Sequence, residues 1–102
     1  MVGYLQDNSF KIAQLCKKYH VSRLEIFGSA SQQDRFGPES DFDFLVEFGP
    51  IEDGRHSDMY FGLLEELEAT LGRHVDLVVE AAIRNPYFKE AISKSKQVVY
   101  AA

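Results

Sequence analysis

The chain has 102 residues, 16 of them acidic and 11 basic, for a formal net charge of −5. That length holds one hydrophobic core but not two, and 45% hydrophobic content with eight Phe and five Tyr excludes a disordered chain. The acidic balance argues against a nucleic-acid binder, which needs a basic patch, and no stretch approaches the roughly 18 apolar residues of a membrane helix.

The N-terminus, MVGYLQDNSF, has neither a charged nor an apolar leader region. From about Ser9 to Tyr19, the residues Ile12, Leu15, Cys16 and Tyr19 recur at i, i+3, i+4 and i+7. That spacing predicts an amphipathic helix, capped by Asn8 or Ser9, with Lys11, Lys17 and Lys18 on its solvated side and His20 at its end. Cys16 falls on the apolar stripe and reads as a small buried filler, not a nucleophile. As the single cysteine it excludes an internal disulfide and fits a reducing compartment, so the cytoplasm is the expected location.

Val21 to Phe27 reads as a strand ended by Gly28-Ser29. A glycine there lets a phosphate approach the backbone, where successive N–H groups and the Ser29 hydroxyl would bond its oxygens. Ala30 to Gln33 is expected as a short helix aimed at the same phosphates. Asp34 to Ser40 is turn-like, pivoting on Gly37-Pro38. Arg35 in this turn reads equally well as a phosphate ligand or as a plain surface arginine, and Ser40 is expected to orient the next aspartate or cap the turn.

The run Asp41 to Phe48 (DFDFLVEF) alternates with period two. Asp41, Asp43, Leu45 and Glu47 then share one face of a strand, and Phe42, Phe44, Val46 and Phe48 the other. Two carboxylates at that spacing sit about 6–7 Å apart at Cα, close enough to reach one cation. The plainer alternative is a solvent-facing acidic edge; the Gly-Ser turn upstream favours the site.

Beyond a loop at Gly49–Arg55, Ser57 is expected to cap a helix carrying Tyr60, Leu63, Leu64, Leu67 and Leu71, stopped by Gly72. Its acids, Glu65, Glu66 and Glu68, read as surface residues, and His56 and Asp58 as helix-end residues. His74 to Glu80 is a third strand, expected to be central, with Val75, Leu77 and Val79 on one side and Asp76, Val78 and Glu80 on the other. A buried Asp76 there would need a partner, such as a cation shared with Asp41 and Asp43. Asn85-Pro86 opens a last helix, with Tyr87, Phe88, Ala91 and Ile92 as its expected buried side, followed by a short strand at 97–100. Residues 1–102 read as one domain.

Phe27-Gly28-Ser29, Ser40-Asp41-Phe42-Asp43-Phe44-Leu45-Val46-Glu47-Phe48 and Val75-Asp76-Leu77-Val78 together resemble the minimal nucleotidyltransferase family, the smallest members of the DNA polymerase β-like superfamily. The resemblance implies an α/β (α+β) fold, a small mixed β-sheet flanked by helices. It further implies ATP as substrate and two Mg²⁺ ions, with Asp41, Asp43 and Asp76 as catalytic and metal-binding carboxylates. Gly28 and Ser29, with Ser40 and Arg35, would hold the nucleotide.

Stand-alone domains of this kind pair with a HEPN-type toxin, a ribonuclease, and silence it by transferring AMP onto a tyrosine. An antitoxin in a hetero-oligomer with such a toxin is therefore the implied role. The family's basic residue after Gly-Ser and a nearby glycine are replaced here by Ala30 and Gln32-Gln33. The alternative is accordingly an antitoxin that neutralises by contact alone.

Overall fold

A computed structural model describes residues 3–28 and 41–102, and in it the alternating segments are strands. In chain order the elements are α1 (Gly3–Asp7), α2 (Ser9–Lys18), β1 (Val21–Phe27), β2 (Phe42–Phe48), α3 (His56–Leu71), β3 (Val75–Val79), a 3₁₀ turn (Glu80–Ala82), α4 (Pro86–Ser95) and β4 (Gln97–Ala101). Among the described residues the strands form one mixed sheet in the order β3-β2-β1-β4. β1 runs antiparallel to both β2 and β4, whereas β2 and β3 are parallel. A parallel pair needs a crossover, and α3 supplies it. This is the expected small mixed sheet flanked by helices. Among the described residues no helix is long and apolar enough to cross a membrane.

The two faces of the sheet are covered unequally. Phe42, Phe44 and Val46 project to one side, where Ile12 and Cys16 of α2 and Leu63 and Leu67 of α3 are packed with them in the main core. Cys16 is fully buried, and burial pushes its thiol up to about 12, so it fills space and carries no thiolate at neutral pH. The opposite face has a smaller cluster of Phe27, Leu45 and Ile92, extended by an edge-to-face contact of Phe27 with Phe88 at 6.2 Å. Glu25 is buried on β1 between two cations, Arg23 at 3.4 Å and Lys96 at 3.6 Å.

α2 and α3 are tied by a polar clamp. The Tyr19 hydroxyl donates to Glu66 Oε2, and Lys18 Nζ reaches the same oxygen at 3.0 Å. Opposite the Tyr19 ring stands Gly62; a Cβ there would collide with the ring. Glu66 is thus a clamp residue and not merely a surface acid.

Several sequence-based expectations change. α3 begins at His56 with Arg55 at the cap position, so Ser57 lies inside the helix and does not cap it; Gly72 ends it as expected, with φ +67°. Asn8 stands at the start of α2 but its side chain makes no capping bond. α1, which lacks a periodic signal, exists because Leu5 is buried in the main core.

For α4 the cap is as expected: Asn85 Oδ1 accepts from the backbone N–H of Tyr87 (2.9 Å) and Phe88 (3.3 Å), with Pro86 at the first position. Its predicted apolar side is not buried, however: Ile92 is, but Tyr87 is 81% exposed, and Phe88 and Ala91 also face solvent. The helix buries only the residue that meets Phe27 and Leu45.

β3 is an edge strand, not a central one. Two backbone groups on its outer side are taken by α3: Val75 N–H donates to Glu68 Oε2 (3.1 Å), and the Tyr60 hydroxyl donates to Leu77 O (2.5 Å). Glu68 therefore holds an otherwise open donor. The helix expected over Ala30–Gln33 and the turn over Asp34–Ser40 lie outside the described residues.

Candidate active site

Strand register assembles the site. Parallel pairing of β2 with β3 sets Asp43 directly beside Asp76, and antiparallel pairing with β1 sets Phe27 beside Asp43 on the other side. The next residue, Gly28, therefore ends β1 against the Asp43 carboxylate. Its φ is +72°, and a Cβ built on it would lie 2.5 Å from Asp43 Oδ2. Both facts require glycine: the left-handed backbone and the space that the carboxylate fills.

Asp41 and His74 stand just before β2 and β3. The Phe42 N–H donates to His74 O at 3.1 Å, which carries the parallel register one step further and brings His74 next to Asp41. His74 Nδ1 lies 3.5 Å from Asp41 Oδ2 and 3.9 Å from Asp76 Oδ1. Among the described residues, Asp41, His74 and Asp76 form a group whose ligand atoms all lie within 4.8 Å of one another.

The half-buried Asp43 carboxyl is pushed up to about 6. Burial is the main cause, followed by the hydrogen bond with Asp76 and the charges of Asp76 and Asp41; His74 works in the opposite direction. Three carboxyls crowded so that one resists ionisation are a donor set that a divalent cation relieves, and hard cations take carboxylate oxygens. The residues present therefore fit a divalent ion. Asp76 itself is largely exposed at the sheet edge, so solvent, and not only a cation, can satisfy it. Asp76 is thus neither buried nor on a central strand, contrary to expectation.

A cleft of about 580 Å³ opens over this end of β3, with Phe27, Asp43, Tyr60, His74, Asp76 and Phe88 among its walls. The structure thus brings together four of the residues expected from sequence: Gly28, Asp41, Asp43 and Asp76. Ser29, Arg35 and Ser40 lie outside the described residues. His74 was missed. Its signal was available, since a residue two before Asp76 in an extended segment shares its face.

The family model for the nucleotidyltransferase domain matches residues 11–99. The chain belongs to that family. Among curated relatives of this nucleotidyltransferase are two proteins of Methanocaldococcus jannaschii, both named "Putative protein adenylyltransferase". One is 40% identical over 80 residues, covering 78% of each chain; the other is 39% identical over 77 residues, covering 76% of this chain and 75% of the relative.

Among solved structures, one described as a "putative minimal nucleotidyltransferase" superposes with a TM-score of 0.75 at 28% identity, over 95% of both chains. A chain of a toxin–antitoxin structure with AMP-PNP gives a TM-score of 0.71 at 22% identity, over 93% of this nucleotidyltransferase and 74% of that chain. A complex of a tri-AMPylated Shewanella oneidensis HEPN toxin with an MNT antitoxin gives 0.65 at 20% identity, over 96% and 73%. The last two are likenesses of fold.

Proposed function

We propose that this nucleotidyltransferase is a protein adenylyltransferase that moves AMP from ATP to a hydroxyl of a partner protein and acts as an antitoxin in the cytoplasm. The concrete acceptor is a tyrosine of a HEPN-type ribonuclease toxin, held with this chain in a hetero-oligomer. The observation that carries the reading is Asp43 set beside Asp76 in neighbouring parallel strands, with Gly28 closed against Asp43. The 40% identity to a named protein adenylyltransferase supports the acceptor class, and the toxin–antitoxin folds support the partner.

Asp41, Asp43 and Asp76 would hold divalent ions, Mg²⁺ by family resemblance. When bound, such ions neutralise phosphate charge and lower the pKa of an attacking hydroxyl. The chain's own residues do the rest. Gly28 admits the triphosphate close to the backbone, with Ser29, Ser40 and Arg35 as further nucleotide contacts. Asp43, wedged between Gly28 and Asp76, fixes the α-phosphate end relative to the acceptor end. Asp76, at the open edge by the cleft, faces the incoming hydroxyl and receives its proton. The hydroxyl oxygen forms a bond to the α-phosphorus, the bond from that phosphorus to the β-phosphate oxygen breaks, and pyrophosphate leaves.

The test is the intact mass of a co-expressed toxin after incubation with this protein, Mg²⁺ and ATP, beside an Asp41→Asn/Asp43→Asn control. A gain of one or more AMP units that the control lacks is the expected result. An unmodified toxin in a stable, neutralised complex would replace this reading with neutralisation by contact, which the Ala30 departure favours.

A further inference from the structure

We propose that His74 is a nitrogen ligand of the cation held at Asp41 and Asp76, and that it tunes this position towards a first-row transition ion such as Mn²⁺ over Mg²⁺. The inference rests on the divalent-cation reading above and changes the ion expected at this one position from Mg²⁺ to Mn²⁺. His74 is placed by backbone, not by chance of rotamer: its carbonyl accepts from Phe42 N–H, so its Cα is fixed next to Asp41 at the mouth of β2 and β3. From there Nδ1 reaches both carboxylates, at 3.5 and 3.9 Å, and the three donors lie within 4.8 Å of one another. Donors so spaced need to close by only a small side-chain movement to surround one ion. His74 is 60% exposed, so nothing locks its ring away.

Among the described residues the group at the mouth is made of Asp41, His74 and Asp76, whereas Asp43 Oδ2 stands against Gly28. The position at the mouth therefore offers two oxygens and one nitrogen. Mg²⁺ prefers oxygen throughout and tight octahedral geometry. Imidazole suits the later first-row transition ions best; Mn²⁺, at the start of that series, shares the carboxylate preference of Mg²⁺ but gains more than Mg²⁺ from a nitrogen donor. A different role for His74, as a positive counter-charge to the carboxylates, predicts the opposite sign. Removing such a charge would strengthen binding of every divalent ion alike.

The experiment is Mn²⁺ binding to metal-stripped protein, read from the loss of the free-ion EPR signal, with Mg²⁺ as competitor. Wild type is compared with His74→Ala, His74→Gln and Asp76→Asn. The exposed His74 ring leaves the core untouched, so its variants fold. The expected result is Mn²⁺ favoured over Mg²⁺ in wild type. Mn²⁺ affinity should fall at least about tenfold in both His74 variants while Mg²⁺ affinity stays within about twofold. Pulsed EPR should show nitrogen coupling to bound Mn²⁺ in wild type and none in either variant.

An unchanged Mn²⁺-to-Mg²⁺ ratio, persistent nitrogen coupling in the variants, or tighter binding of both ions overturns the proposal and leaves the transferase reading in place. Wild type that binds neither ion removes both.

Discussion

The Oδ2 of Asp43 occupies the ground on which a side chain at residue 28 would stand, 2.5 Å from an ideal Cβ on Gly28. The end of β1 and the carboxylate on β2 are therefore built as one unit. Gly28→Ala would both strain a backbone at φ +72° and push the carboxylate away. We expect a loss of about 1–3 kcal/mol in urea unfolding and at least about a hundredfold loss of AMP transfer, the usual cost of a misplacement of about 1 Å. Full activity in this variant would mean that Asp43 need not sit where it does.

Asp43 also sets a pH dependence. Its carboxyl is raised from 3.8 to about 6, chiefly by burial, so the fold favours the protonated form. Stability from this group is fully present below about pH 4 and is lost as the pH rises through about 6. In the presence of a chelator at pH 7, Asp43→Asn should therefore be more stable than wild type. After discount for partial exposure the gain is roughly 1 kcal/mol, or about 4–8 °C in a domain of this size. The same variant should transfer no AMP. Melting curves between pH 4 and 8 check this, and the advantage should close towards pH 4.

Glu25 is buried between Arg23 and Lys96, and so joins β1 to the start of β4. Either cation partly compensates for loss of the other. Lys96→Ala and Arg23→Ala should each cost about 1 kcal/mol. The double variant should cost about 3–5 kcal/mol, because it leaves a buried carboxylate without a counter-charge. A double-mutant cycle in urea decides; simple additivity would show that solvent reaches Glu25.

Gly62 and Tyr19 predict a reversal of sign. In wild type, Gly62→Ala meets the Tyr19 ring and should lose about 1–3 kcal/mol through overpacking. In a Tyr19→Ala background the ring is gone, and the better helix propensity of alanine should make the same change favourable by up to about 1 kcal/mol. Thermal melts of the four proteins measure the coupling.

Much of this fold can be read from local pattern. Period two in FDFLVEF and VDLVV marks β2 and β3, and the i, i+3, i+4 spacing of Ile12, Leu15 and Cys16 marks α2. That Asp41 and Asp43 share a face follows from the same alternation. What local pattern does not contain is which strand lies beside which. Asp76 looked central because its neighbours are apolar, yet β3 is an edge whose open backbone groups are held by Glu68 and Tyr60 of α3. Those contacts depend on tertiary placement of a helix, and so Glu68 looked like any surface acid. Tyr87 and Phe88 misled for the reverse reason: an amphipathic pattern shows what could be buried, whereas the sheet presents α4 with little more than Phe27 and Leu45 to cover.

The parallel register of β2 and β3 has a consequence for how the activity arises. Asp43 and Asp76 are separated by the whole of α3, and no local turn can bring them together. So non-local a pairing must meet its loop-closure entropy before its contacts offset it, which slows folding. A slip of one residue would put Val75 or Leu77 where Asp76 belongs and turn the aspartate into the core face. A chain emerging from the ribosome thus has no partial version of this carboxylate pair before β3 is paired. It becomes competent only once β3 is paired in register, so an insertion in the crossover that shifts this register removes the pair.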